Sequence, residues 1–430
     1  MGAPPTRLRA PPRGRHWRTG GAGSAVPWVR RHPLRAPWVT EMTRSIQSRR
    51  GELGYDTVAL VLQGGGALGS YQGGVYEGLA EAGLHPDWIA GISIGAINAA
   101  VIAGNPPERR VEQLQRFWDH ICRPPLLPPT PVDALRDALA HLPGPAGAAL
   151  SAWEAWRAVL EGQNGFFVPR LVPSWPTQHD PGTASVYDST PLKRTLEEFV
   201  DFDRLNNGGT RISVGAVNVR TGNFAYFDNT TRVLTADHIM ASAALPPGFA
   251  PVQIDGEYYW DGGVVSNTPL HQILQSSPRR YSLVFQVDLW SAHGQVPGNL
   301  SEVPIRQKDI QYSSRTRLVT DYMREVQEYR GLLRELLKHM PAGHGREPWM
   351  KRARELASDR RINVLHLIYR GEKCEAPYKD YQFGRLSMEE RWSGGLADIR
   401  RTLEHPSWLE VPSADHPFVT HDVHRPPDGR

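Results

Sequence analysis

Cysteine is nearly absent: the 430 residues hold two, Cys122 and Cys374. They form neither a CxxC pair nor a zinc-ligand spacing. That argues against a disulfide framework and a structural metal, and it fits a reducing, cytoplasmic compartment. No apolar run approaches the ~18 residues that a membrane-spanning helix needs. No internal repeat is present, which sets aside solenoids and propellers. Acid is scarce in one place: Glu41 is the sole carboxylate in the first fifty positions, beside eleven arginines, and the arginine excess there outweighs the net charge of +4 of the whole chain. The rest of the chain carries slightly more acid than base, so nucleic acid is not an expected partner.

Residues 1–52 combine Pro, Gly and Arg with almost no apolar periodicity, which predicts a disordered N-terminal extension. Arg30-Arg31 is a twin-arginine pair, but no apolar stretch of about seven residues follows it, so export is not expected. Met42 is an alternative start. The chain as a whole is 40% hydrophobic and 22% charged, an ordinary globular balance, and long enough to bury a large core in roughly two or three domains.

Order is expected from residue 56. Positions 57–62 form a short apolar run, as in a strand buried on both faces, and end in the glycine turn Gly64-Gly65-Gly66-Ala67-Leu68-Gly69. A helix is predicted over 70–81, a second buried strand over 88–92, and a small, apolar helix over 94–103. Strand, glycine turn, helix, strand, sharp turn, helix is the opening of a parallel α/β sheet. Between about 121 and 186 the texture changes to Pro, Gly and aromatic residues, with helices expected at 132–141 and 150–160. Trp153, Trp156, Phe166, Phe167 and Trp175 gather there, and the segment reads as a lid packed over the sheet. Hairpins are predicted around Arg220-Thr221-Gly222 and Asp255-Gly256, with a helix over 235–243 between them and a strand over 281–288 after them. The C-terminal section, 291–430, offers a long amphipathic helix over 309–340, a strand over 362–368 and a helix over 387–403.

Gly91-Ile92-Ser93-Ile94-Gly95 lies between a predicted strand and a predicted helix. The two glycines permit a sharp turn that lifts the Ser93 hydroxyl out of the strand end, and the following helix N-terminus favours developing negative charge. Gly64-x-Gly66-x-x-Gly69 also fits a dinucleotide fingerprint. That reading needs an acid at the far end of the second strand, whereas Asp87 sits at its near end and Ser93 occupies the ribose position. A phosphate-binding Walker loop fails for want of Gly-Lys-Ser/Thr. What remains is an oxyanion hole built from the backbone N–H groups of Gly65, Gly66 and Ala67. Asp261, before Gly262-Gly263, stands at a strand end followed by flexible backbone. A carboxylate there can accept a serine proton, although an Asp before two glycines is by itself an ordinary turn residue.

Taken in order, the glycine turn, Gly91-x-Ser93-x-Gly95 and Asp261-Gly262-Gly263 resemble the patatin-like phospholipases. Ala241-Ser242-Ala243-Ala244-Leu245-Pro246, Phe249, Pro251 and Asn267-x-Pro269 add to the likeness. The resemblance covers about residues 56–290. It implies a three-layer α/β/α fold with a mostly parallel central sheet, here over 53–290, with the lid inserted and a helical C-terminal extension following. It also implies Ser93 as nucleophile, Asp261 as base without a histidine, Gly64, Gly65 and Gly66 as the oxyanion loop, no metal or cofactor, and a lipid or acyl ester as substrate. Leu68 departs from the Arg or Lys common in that loop, which puts steering of a phosphate headgroup in doubt. Peripheral membrane contact and a homo-oligomer formed through the long helix are further expectations. The rival enzymatic reading is a triad with His271, His293 or His366. Sixteen histidines make a downstream one expected by chance, and none stands in a distinctive motif. The rival outside catalysis is a lipid-binding scaffold with a degenerate site.

Overall fold

A computed structural model describes residues 53–122, 158–170, 180–275, 281–300, 302–314, 316–340, 347–357, 360–371 and 379–423. The N-terminal extension, the helix expected at 132–141, the three lid tryptophans and Cys374 lie outside these residues.

Eleven strands are described: β1 (Thr57–Leu62), β2 (Trp88–Gly91), β3 (Val168–Pro169), β4 (Tyr187–Asp188), β5 (Arg211–Asn218), β6 (Phe224–Asp228), β7 (Val252–Ile254), β8 (Glu257–Asp261), β9 (Ser282–Asp288), β10 (Ile362–Ile368) and β11 (Phe418–Asp422). Nine of them form one sheet in the order β11-β10-β9-β1-β2-β5-β8-β7, with β6 beside β5, while β3 and β4 pair apart. The run from β11 to β5 is parallel, and β6, β7 and β8 join antiparallel. Every residue of β1 and β9 is buried, so both faces of the sheet are covered. On one face Ala59, Val61, Ala90, Val284 and Val364 form a core with Leu270, Ile273 and Leu274 of a short helix and Met323 of a long one.

The helices are α1 (Ser70–Glu81), α2 (Ile94–Ala103), α3 (Arg110–Ile121), α4 (Thr190–Phe199), α5 (Phe202–Asn207), α6 (Ala236–Ser242), α7 (Leu270–Leu274), α8 (Glu302–Tyr312), α9 (Thr316–Lys338), α10 (Pro348–Leu356) and α11 (Arg385–Leu403). Among the described residues no helix is long and apolar enough to cross a membrane. The Asp255-Gly256 turn has both residues at positive φ, 52° and 84°, the geometry that twists a two-residue hairpin correctly.

The long helix predicted over 309–340 is two helices. Tyr312 ends α8 because its carbonyl accepts from the side chains of Gln63 and Asn267, each at 3.0 Å, and Ser313 Oγ turns back onto the Ile310 carbonyl at 2.9 Å. These side chains, that of Gln63 from 249 residues away in the chain, satisfy carbonyls near the end of α8.

The section after residue 290 supplies β10 and β11 to the sheet itself, and α11 packs on α1 across glycines. A Cβ added at Gly74 would lie 1.9 Å from the Trp392 carbonyl oxygen, and one at Gly395 would lie 2.1 Å from that of Tyr71. The two backbones therefore meet with no room for a methyl group. The pair is tied by the buried bond from Tyr71 Oη to Asp398 at 2.8 Å and by Arg400 to Glu81 at 2.8 and 3.0 Å. Gly74→Ala is expected to destabilise the fold by about 1–3 kcal/mol or more, since the obstacle is backbone and cannot rotate away. Urea denaturation would register this as a lower midpoint at constant slope, and an unchanged midpoint would refute the close approach.

The register of β5 fixes where the chemistry sits. Ser213 and Val214 pair with both β2 and β6, whereas Ala216 and Val217 pair with both β6 and β8. β6 thus holds one edge of β5, and β2 and β8 share the other, running toward each other end to end. Gly91, the last residue of β2, stands opposite Val214, and Asp261, the last of β8, opposite Ala216. The residues that follow β2 consequently meet the end of β8.

Candidate active site

Ser93 occupies the turn from β2 into α2 at φ 55° and ψ −125°, a strained conformation for a residue with a side chain. Gly91 and Gly95 make the turn feasible. A Cβ on the first would lie 2.3 Å from the Gly95 carbonyl oxygen, and on the second 2.3 Å from that of Leu62. The Ser93 N–H donates to both the carbonyl oxygen and Oγ of Ser242, each at 3.1 Å, and Ser242 Oγ donates to the Gly215 carbonyl at 2.6 Å. Ser242 entered the sequence argument only as part of a family motif. Its fully buried hydroxyl is what fastens the serine turn to β5.

Asp261 is 1% exposed, and its carboxylate accepts from the Gly263 N–H at 2.7 Å and hydrogen-bonds the Ser93 side chain. Burial pushes its pKa from 3.8 to about 7, against the pull of those two hydrogen bonds. Gly262 backs onto the Gly215 carbonyl, where a Cβ would come within 2.8 Å.

The glycine loop runs alongside. A Cβ at Gly64 would stand 3.1 Å from Ser93 Cβ and 2.3 Å from Asn267 Oδ1. One expectation needs correcting here: the Gly64 N–H is not open to a ligand, because it donates to the Asn267 carbonyl at 3.2 Å. The Gly64 carbonyl accepts from Asn267 Nδ2 at 2.9 Å and Trp290 Nε1 at 2.8 Å, which pins the loop from two sides. Among the described residues, the N–H groups of Gly65 and Gly66 have no protein acceptor. Gly66 takes a left-handed φ of 56° beneath the Asp380 carbonyl. Ala67 is buried, its carbonyl held by Arg391 at 3.2 Å, and Gly69 lets α1 close on Ile94. Leu68 is completely buried and takes no part in lining the site.

Ser93, Asp261, Gly64, Gly65 and Gly66 line one pocket. One wall is apolar. Ile94, Leu245 and Phe249 meet Phe166, Phe167 and Phe383 there, with ring centroids 5.4–6.3 Å apart around Phe249 and Phe166. The other wall is aromatic and polar: Trp290, Tyr312, Tyr381 and Asp380. The last two belong to a strap, 379–383, held by Arg391. This buried guanidinium donates to the carbonyls of Lys379 and Gln382 and to the Gln382 side chain at 2.8–3.1 Å. None of these wall residues from the C-terminal section carries a local sequence signal. Of the three candidate histidines, His271 and His293 are exposed and His366 is buried against Asp288 at 2.7 Å. Among the described residues no histidine lines the pocket. Asp87, weighed as a ribose ligand, instead accepts from the Val58 N–H at 2.9 Å at the start of β1.

With this arrangement in view, comparison with known families is decisive. The model of the patatin-like phospholipases matches residues 60–274, half of the chain and inclusive of every site residue named from the sequence. The chain belongs to the patatin-like phospholipase family. A second family model, described as patatin phospholipase, matches residues 310–415, so the strap and α11 fall within a matched segment too. Among curated relatives, patatin-like phospholipase domain-containing protein 6 of Homo sapiens is 34% identical over 131 residues, 27% of this chain and 9% of that protein. Its Mus musculus counterpart is 43% identical over 63 residues, 15% of this chain and 5% of that protein. The match thus spans less than a tenth of these relatives' length. Among solved structures, human GIVD cytosolic phospholipase A2 aligns with 88% of this chain and 63% of its own, at 12% identity and a TM-score of 0.39. VipD from Legionella pneumophila aligns with 79% and 67%, at 13% identity and a TM-score of 0.30.

Proposed function

We propose that the protein hydrolyses acyl esters of lipids through a Ser93–Asp261 dyad and an acyl-enzyme intermediate. The observation that carries this reading is the buried carboxylate hydrogen-bonded to a strained serine, with its pKa near 7. A carboxylate of ordinary acidity would be too weak a base for a hydroxyl, and desolvation brings this one to the working range.

In the first step Ser93 Oγ attacks the ester carbonyl carbon while its proton passes to Asp261. The resulting oxyanion accepts from the Gly65 and Gly66 N–H groups, each such donor worth roughly 3–4 kcal/mol in the transition state, with the N-terminus of α2 adding to the field. Collapse breaks the bond to the alcohol, which leaves with the proton from Asp261. Water then gives a proton to Asp261 and attacks the acyl-enzyme. The fatty acid departs and Ser93 regains its proton. No step calls for a metal or an organic cofactor. A histidine base has no support from the lining of the pocket.

The test is covalent labelling with an alkyl fluorophosphonate. Folded protein is expected to gain one adduct, mapped to Ser93 by peptide mass spectrometry. Folded protein that stays unlabelled at Ser93 would sink the dyad and favour a lipid-binding role.

A further inference from the structure

We propose that the ester cleaved here carries an uncharged, hydroxyl-bearing alcohol portion, as in a monoacylglycerol, and not an anionic or choline-bearing headgroup. This rests on the acyl-hydrolase reading of the same pocket. Among the described residues lining it there is no Lys, Arg or His, whereas Asp261 and Asp380 both face it.

The nearby cations are engaged by the protein itself. Lys308 Nζ lies 2.7 and 2.6 Å from the two Asp380 oxygens, and Lys379 Nζ lies 2.9 Å from Asp309. Arg391 spends its guanidinium on the carbonyls and amide that hold the strap. The buried Leu68 offers no substitute. A phosphate entering beside the scissile ester would shed water, gain no described cation and approach two carboxylates.

A quaternary ammonium is no better served. Aromatic faces with a carboxylate nearby are the usual receptor for such a cation. Here Lys308 already sits over Trp290 and Tyr381, 5.8 and 5.4 Å from the ring centroids, and Lys379 lies 5.2 Å from that of Trp290.

What the polar wall does offer suits hydroxyl groups. Tyr312 and Tyr381 bring phenols to the pocket, and burial together with the negative charge of Asp380 keeps both protonated, with Asp261 adding to the effect at Tyr312. Each can donate to an alcohol oxygen, while Asp380 keeps lone pairs that accept from an alcohol O–H. The phenylalanine wall opposite takes the acyl chain.

The deciding experiment compares 1-oleoylglycerol, oleoyl lysophosphatidic acid and oleoyl lysophosphatidylcholine in the same neutral detergent micelles, with oleate release as readout. We expect kcat/KM at least about tenfold higher for the glycerol ester. Equal or faster turnover of either lysophospholipid, or no turnover of the glycerol ester, overturns the proposal. Asp380→Asn, which frees Lys308, is expected to narrow the preference over lysophosphatidic acid at least about threefold; an unchanged ratio in folded variant also counts against it. The wild-type comparison stands if that variant does not fold. Fluorophosphonate labelling in parallel separates the two levels. Unlabelled Ser93 removes the hydrolase reading, whereas labelled protein that prefers a lysophospholipid removes only the substrate assignment.

Discussion

Ser93→Ala is expected to lower kcat by at least ~10⁴-fold while leaving the protein folded. The hydroxyl contributes nothing to the sheet: the turn is fastened through the Ser93 N–H, and this bond to Ser242 survives the substitution. What is lost is the nucleophile and one hydrogen bond to Asp261, which had been lowering the carboxyl's pKa. The variant's Asp261 therefore titrates still higher than in the wild type. Turnover of a chromogenic ester at pH 8, with circular dichroism to certify the fold, checks the expectation. Residual activity within tenfold of wild type would mean that another residue attacks the ester.

Asp261→Asn is expected to change activity and stability in opposite directions. With the base removed, kcat falls by about 10³-fold or more. The wild type itself should lose kcat/KM roughly tenfold per pH unit below about 7, as Asp261 takes up its proton, and level off above. Stability follows from the same raised pKa. Between about 4 and 7 the folded protein holds a proton on Asp261 that the unfolded chain has released, so the contribution of this group is full below pH 4 and is lost as pH rises through 7. A raise from 3.8 to about 7 corresponds to about 4 kcal/mol at alkaline pH, an upper figure that partial hydration would reduce. Asparagine carries no charge to desolvate. The variant should gain up to that amount at pH 8 and little at pH 4, as read from urea midpoints. An Asn variant that is destabilised equally at both pH values would show that the carboxylate is not strained by burial.

How much of this was legible in the sequence depended on whether the signal was local. Ser93 could be read directly, because strand, glycine, serine, glycine and helix are adjacent in the chain and each contributes to one sharp turn. The glycine loop was legible as a loop, but not which of its amides stays open, since Asn267 decides that from two hundred residues away. Asp261 owed its role to the family resemblance. Its position depends on β2 and β8 sharing an edge of β5, a pairing that no local pattern encodes. Tyr381, Phe383 and Arg391 were missed for the same reason, being ordinary residue types whose meaning comes from the strap, and Tyr312 because distant side chains hold the end of α8 at the pocket. The break after Tyr312 escaped notice because no Gly or Pro between Asp309 and Val319 marks it. Side chains of Gln63 and Asn267 end α8 there.

The position of β10 in the sheet also bears on how the chain is made. A ribosome delivers Ser93 and Asp261 long before it delivers the strap or α11. Until Ile362–Ile368 emerges, β9 is an open edge of seven buried-type residues, the kind of surface that recruits chaperones or stray strands. The nascent protein thus holds Ser93 and Asp261 while the pocket still lacks the wall formed by Tyr381 and Phe383. The pocket is therefore complete only once the last strands and the strap have joined the fold.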